Sequence, residues 1–83
     1  MIVDDEPWSR KILRKYLEGD GSIVQEAVDG RDGLAKLDAS TFDVVLLDRA
    51  MPDMSGDQLA VSIRRTRGKL PIVMLTGFGD FMN

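Results

Sequence analysis

The run Val44-Val45-Leu46-Leu47-Asp48 constrains this chain more than any other stretch. Four consecutive aliphatic residues without polar alternation describe a strand covered on both faces, as inside a parallel sheet, and the carboxylate that ends the run falls at the strand's C-terminal end. In open α/β sheets, ligands bind at that end. Pro52 breaks the strand, and Ser55-Gly56-Asp57-Gln58 has the form of a capping box, with Ser55 as N-cap and Gln58 reaching back from the third helical position. Asp48 is therefore expected at the rim of a rigid element, where the plain alternative is an acid that only terminates a strand.

The rest of the chain repeats this alternation. Met1-Ile2-Val3 reads as a first strand, ended by Asp4-Asp5-Glu6, and Pro7 suits the first position of a helix. In that helix Trp8, Ile12, Leu13, Tyr16 and Leu17 recur at helical spacing as the inward face, while Arg10, Lys11, Arg14 and Lys15 are expected on a solvated one. Gly19-Asp20-Gly21 stops it, and Ile23 to Val28 follows as a strand whose polar middle suits a sheet edge. Asp29-Gly30 opens a short second helix with Leu34, Ala35 and Leu37 inward; Gly33 costs it roughly 1 kcal/mol relative to alanine. After the Asp48 strand, a third helix runs from about Asp57 to Arg67, with Leu59, Ala60 and Ile63 inward and Gly68 as its stop. Leu70 to Leu75 is a fourth apolar strand delivering Thr76-Gly77. Strand, helix, strand, helix, strand, helix, strand with short right-handed connections makes an open parallel α/β sheet, and its C-terminal edge collects Asp4, Asp5, Asp48 and Thr76.

Composition narrows what such an edge can do. Eighty-three residues form one small domain, 1–83, with 43% hydrophobic and 30% charged residues, which is ordinary for a globular chain. No apolar run is long enough to cross a bilayer, no secretory signal opens the chain, and cysteine is absent, so a cytoplasmic chain with neither a disulfide nor a thiolate metal site is expected. With no histidine and a net charge of −3, the chain lacks the commonest general base and gives no basic footprint for nucleic acid.

Bringing Asp4, Asp5 and Asp48 together costs energy: two unit charges about 4 Å apart repel by roughly 4 kcal/mol at an effective dielectric of 20. Either one carboxylate takes a proton or a hard divalent cation sits among them, and an all-oxygen site with room for water suits Mg²⁺. A carboxylate beside Mg²⁺ can act as a nucleophile toward phosphorus, and Thr76 could hydrogen-bond a phosphoryl oxygen.

Three stretches, Ile2-Val3-Asp4-Asp5-Glu6, Val44 to Gly56 and Pro71-Ile72-Val73-Met74-Leu75-Thr76-Gly77, together resemble the three signatures of the receiver domain of bacterial two-component response regulators. The resemblance covers the whole chain in the family's order and implies a CheY-like, flavodoxin-like three-layer fold with strand order 2-1-3-4-5. It implies Asp48 as the phospho-acceptor, Asp4 and Asp5 as the acidic pair holding Mg²⁺ with Asp48, and Ala50 as the position whose backbone carbonyl completes the metal site. It implies Thr76 as the phosphoryl-sensing hydroxyl and a histidine kinase or phosphotransfer protein as partner.

The sequence departs from the family pattern at its end. The family's fourth helix, the fifth strand with its phosphate-binding lysine and switch aromatic, and the fifth helix have no counterpart here, so a receiver fold incomplete at its C-terminal end is expected. Lys69 precedes the fourth strand, which places it at the opposite edge of the sheet, and it does not replace the missing lysine. Loss of the fifth strand would leave Ile72-Val73-Met74-Leu75 as an unpaired edge, which raises a second expectation: a protein-interaction or homodimer module joined through that edge without phosphotransfer. An aspartyl phosphatase is disfavoured because Ala50 stands where a second acid is needed, so no enzyme activity is expected. A dinucleotide site is disfavoured because Asp4-Asp5-Glu6-Pro7 has no glycine.

Overall fold

A computed structural model describes residues 1–51 and 54–75. The seven expected elements occur in the expected order: β1 Ile2–Val3, α1 Pro7–Gly19, β2 Glu26–Ala27, α2 Gly30–Ala39, β3 Val45–Asp48, α3 Gly56–Thr66 and β4 Ile72–Leu75. All strand pairs are parallel, in the order β2-β1-β3-β4. The chain steps in one direction from β1 to β2 and in the other for every later crossover. Right-handed crossovers therefore put α1 on one face of the sheet and α2 and α3 on the other, giving three layers in the flavodoxin-like arrangement. The reversal falls between β1 and β3, the point where such sheets open a crevice.

The layers are filled unequally. On the α2/α3 side Val3, Ala27, Val45, Leu47, Leu59 and Ile63 are fully buried and form one core with Leu37. Within β3, Val45 and Leu47 are buried while Leu46 and Asp48 are half-buried, so the strand is not covered equally on both faces as its apolar run suggests. No residue of α1 is fully buried. Ile12, Leu13 and Leu17 are half-buried, but Trp8 and Tyr16 are 63% and 75% exposed, which corrects their assignment to the inward face. Helical spacing marks a broad stripe, and α1 packs on β1, a strand of only two residues.

Local chemistry sets the helix ends. Glu6 caps α1 by accepting the Trp8 N–H at 3.1 Å, and Pro7 takes the first position. The capping box of α3 is complete: Ser55 Oγ accepts from Gln58 N–H at 3.2 Å, and Gln58 Oε1 accepts from Ser55 N–H at 3.1 Å. In α2, Leu37 is buried and Leu34 half-buried, but Ala35 is exposed. A Cβ on Gly33 would lie 3.1 Å from Val3 Cγ2, so the glycine that weakens the helix by propensity also lets it settle onto β1. Strand β2 lies at the sheet edge as expected, but spans two residues rather than the whole of Ile23 to Val28, with Val24 buried and Ile23 97% exposed.

Candidate metal and phosphoryl site

Strands β1 and β3 pair with Val3 opposite Leu47, so the next residue of each, Asp4 and Asp48, emerges side by side at the C-terminal edge. Asp4, Asp5 and Asp48 each bring a carboxylate oxygen to within 4.8 Å of the other two. An adjacent acidic pair and a third acid far from it in sequence are thus one cluster, as expected.

Their surroundings differ. Asp4 is 5% exposed and tied down at three atoms: its N–H donates to Ala27 O at 3.1 Å, its Oδ1 accepts from Glu6 N–H at 2.9 Å, and its carbonyl accepts from Arg10 Nη1 at 2.7 Å. Asp5 is exposed. Asp48 is half-buried, and its Oδ1 accepts a long bond of 3.3 Å from Ala50 N–H. Burial pushes the Asp48 carboxyl above its ordinary value; the Ala50 N–H pulls it back, and the negative charge of Asp4 pushes it up again.

The turn that carries Ala50 closes tightly on the strand end. Gly56 N–H donates to Arg49 O at 2.9 Å, and a Cβ on Gly56 would collide with the Asp48 carbonyl oxygen and lie 2.8 Å from Arg49 Cα. Only glycine fits that approach without moving backbone. Thr76, the expected phosphoryl-sensing residue, lies outside the described residues. Lys69 is at the opposite edge of the sheet, as expected, where it lines an open cavity of about 1260 Å³ with Gln25, Ser40, Asp43 and Pro71.

Arg10 departs from the expectation of a solvated basic face on α1, which Lys11 and Lys15 keep. Its side chain is only 14% exposed and forks between the Asp4 carbonyl and Glu26 Oε1, the latter at 3.1 Å. Arg14 joins the same carboxylate at 2.5 Å. Arg10 lies six positions after Asp4, and helical periodicity alone does not show that a turn folds the helix's first basic residue back over the strand end.

The donor set fits a hard divalent cation. It consists of carboxylate oxygens within 4.8 Å of one another, one of them on an exposed residue that leaves room for water, and among the described residues no lysine or arginine forms an ion pair with any of the three.

Sheet order and acidic rim together define a class: an open parallel α/β domain with an anionic crevice at its topological switch point. The chain belongs to the response regulator receiver domain family, which residues 1–83 match throughout. It is 37% identical over 83 residues to the transcriptional regulatory protein ResD of Bacillus subtilis, covering 100% of this chain and 34% of ResD. The response regulator TrrA of Thermotoga maritima, solved in complex with Mg²⁺-BeF, superposes with a TM-score of 0.89 at 34% identity, covering 96% of this chain and 70% of that one. TrrA solved in complex with the histidine kinase ThkA superposes with a TM-score of 0.87 at 35% identity, covering 93% of this chain and 66% of that one. The chain thus spans about a third of the length of the curated relatives it matches. Among the described residues, no helix is long and apolar enough to cross a membrane.

Proposed function

We propose that this receiver domain accepts a phosphoryl group on Asp48 from a histidine kinase or phosphotransfer protein in the cytoplasm, and acts as a switch rather than as an enzyme. The observation that carries the reading is the cluster itself, in which Asp48 is a half-exposed carboxylate at the end of a rigid strand, within 4.8 Å of two further acids. An Asp48 oxygen attacks phosphorus, the new P–O bond forms as the donor's P–N bond breaks, and the imidazole leaves with the bonding electron pair. Asp4, Asp5, Asp48 and the Ala50 carbonyl would hold Mg²⁺, which when bound offsets the negative charge that otherwise repels a phosphoryl donor. Asp4 keeps the site fixed through its backbone and side-chain bonds, and Asp5 supplies the solvent-facing ligand. Thr76 reads the phosphoryl oxygens in this scheme. The complexes of TrrA with Mg²⁺-BeF and with a histidine kinase support the same assignment.

Acetyl phosphate treatment with and without Mg²⁺, followed by intact-mass and fragment mass spectrometry, tests the reading. A phosphoryl adduct on Asp48 that requires Mg²⁺ and disappears in Asp48→Asn is expected. A modification on Asp4 or Asp5, or one indifferent to Mg²⁺, contradicts it.

A second reading draws on β4, the last strand in the sheet order among the described residues, where Val73 is 47% exposed within an uncharged apolar run. A second copy pairing along that edge would satisfy its backbone groups. Light scattering over a concentration series should then show a dimer that Val73→Lys disperses; a monomer at every concentration excludes it.

A further inference from the structure

We propose that Arg10 is a positioning residue for the metal site: by forking between the Asp4 carbonyl and Glu26, it fixes the acidic turn so that Asp4 and Asp5 present their carboxylates to Mg²⁺ together with Asp48. The inference rests on the reading above, that the cluster binds Mg²⁺, and adds a residue from outside the cluster to it.

Geometry supplies the argument. Arg10 Nη1 reaches the Asp4 carbonyl at 2.7 Å while Nε reaches Glu26 Oε1 at 3.1 Å, so one planar guanidinium spans α1, the end of β1 and β2. Glu26 is anchored in turn: its carboxylate also takes Arg14, and its backbone carbonyl accepts from Lys36 of α2. Arg10 therefore pulls against a fixed post. Asp4 is the first residue beyond β1, where the ladder between β1 and β3 stops, and its carbonyl marks the start of the turn that aims both acids. Buried in this way, the guanidinium restrains the backbone of two ligands without touching either carboxylate. Lysine offers one point charge and lacks the fork needed to satisfy both acceptors in this geometry.

Charge alone predicts the opposite sign. A guanidinium bonded to the backbone of a ligand residue repels a nearby divalent cation, so deleting it would tighten Mg²⁺ binding if only its field mattered. Positioning predicts weaker binding. The two roles separate cleanly in Arg10→Met, which removes the charge and keeps the apolar stem, and in Arg10→Lys, which keeps the charge and removes the fork.

The experiment is calorimetric titration of the 83-residue chain with MgCl₂, together with urea unfolding of each metal-free variant to establish that it is folded. Loss of groups that orient metal ligands commonly weakens affinity by about 10-fold or more, and that loss is expected for Arg10→Met, with a smaller loss in the same direction for Arg10→Lys. Lys15→Met, which removes an exposed charge from the same helix, should leave affinity unchanged or slightly tighter. Binding by Arg10→Met as tight as wild type, or tighter, overturns the proposal. Should Arg10→Met fail to fold, Arg10→Lys decides, and an unchanged affinity there overturns it equally. If the wild type shows no saturable Mg²⁺ binding, the functional reading fails and takes this inference with it; if the wild type binds and the Arg10 variants bind alike, only the inference fails.

Discussion

Asp4 and Asp48 are chemically identical side chains at the ends of neighbouring strands, one residue beyond the Val3–Leu47 pair, and the fold treats them in opposite ways. Asp4 is buried, with its N–H, carbonyl and Oδ1 all bonded within the protein. Asp48 keeps part of its surface in solvent, accepts a long bond from Ala50 N–H, and has its carboxyl pushed upward by burial. A carboxylate whose neighbours stabilise its present geometry serves as scaffold, and one destabilised as an anion is suited to gain a bond or a cation. The lesson is that an acidic cluster is not a set of equivalent ligands.

The largest expected effect falls on the scaffold side. Asp4→Ala removes the acceptor of the Glu6 N–H and should destabilise the chain by about 1–3 kcal/mol, the usual cost of stranding a partly buried donor. Chemical denaturation of the metal-free chain measures it, and an Asp4→Ala variant as stable as wild type would erase the contrast between the two acids.

A smaller effect of opposite sign is expected at Asp48, where Asp48→Asn should raise metal-free stability at neutral pH by removing a disfavoured charge. The pH dependence sharpens this. The folded pKa of Asp48 lies above its unfolded value, so its contribution favours the folded state at low pH and is lost as pH rises through the raised value. Glu26, held low chiefly by Arg14, and Asp32, held low chiefly by the Val28 N–H, act in reverse. Their contribution is present above the ordinary carboxylate range and is lost as pH falls through their lowered values. These three groups together therefore raise metal-free stability with pH up to the ordinary carboxylate range and lower it from there to the raised pKa of Asp48, which puts their combined maximum near the ordinary carboxylate range. Thermal unfolding across pH should show Asp48→Asn losing the alkaline-side decline while keeping the acidic one; a parallel decline in both proteins would assign it to another group.

How much of this the sequence carried depended on the range of the interactions involved. The α3 capping box, the Pro7 start and the apolar β3 run depend on neighbours within a few residues, so Ser55, Gln58 and Asp48 could be placed by spacing alone. The convergence of Asp4, Asp5 and Asp48 followed from strand order, which short right-handed connections nearly determine. What escaped were decisions taken between elements. Trp8 and Tyr16 lie on the apolar stripe of α1, yet exposure depends on how far the two-residue β1 extends beneath it. Gly33 reads as a weakness until Val3 is found against it. Arg10 reads as one of four solvated cations until the turn after β1 brings the Asp4 carbonyl beneath it, and Glu26, whose polarity marked an edge strand, proves to be its anchor.

The brevity of β2 carries a kinetic consequence. With only Glu26 and Ala27 in register, this strand owes much of its attachment to side chains from two helices, Arg10 and Arg14 on one face and Lys36 through the Glu26 carbonyl. Amide hydrogens that sense its departure belong to the neighbouring strand end: Ile2 N–H donates to Gln25 O at 2.9 Å and Asp4 N–H to Ala27 O at 3.1 Å. Deuterium uptake at Asp4 therefore clocks the peeling of the sheet's outer strand, and each such excursion momentarily unmoors one member of the acidic cluster.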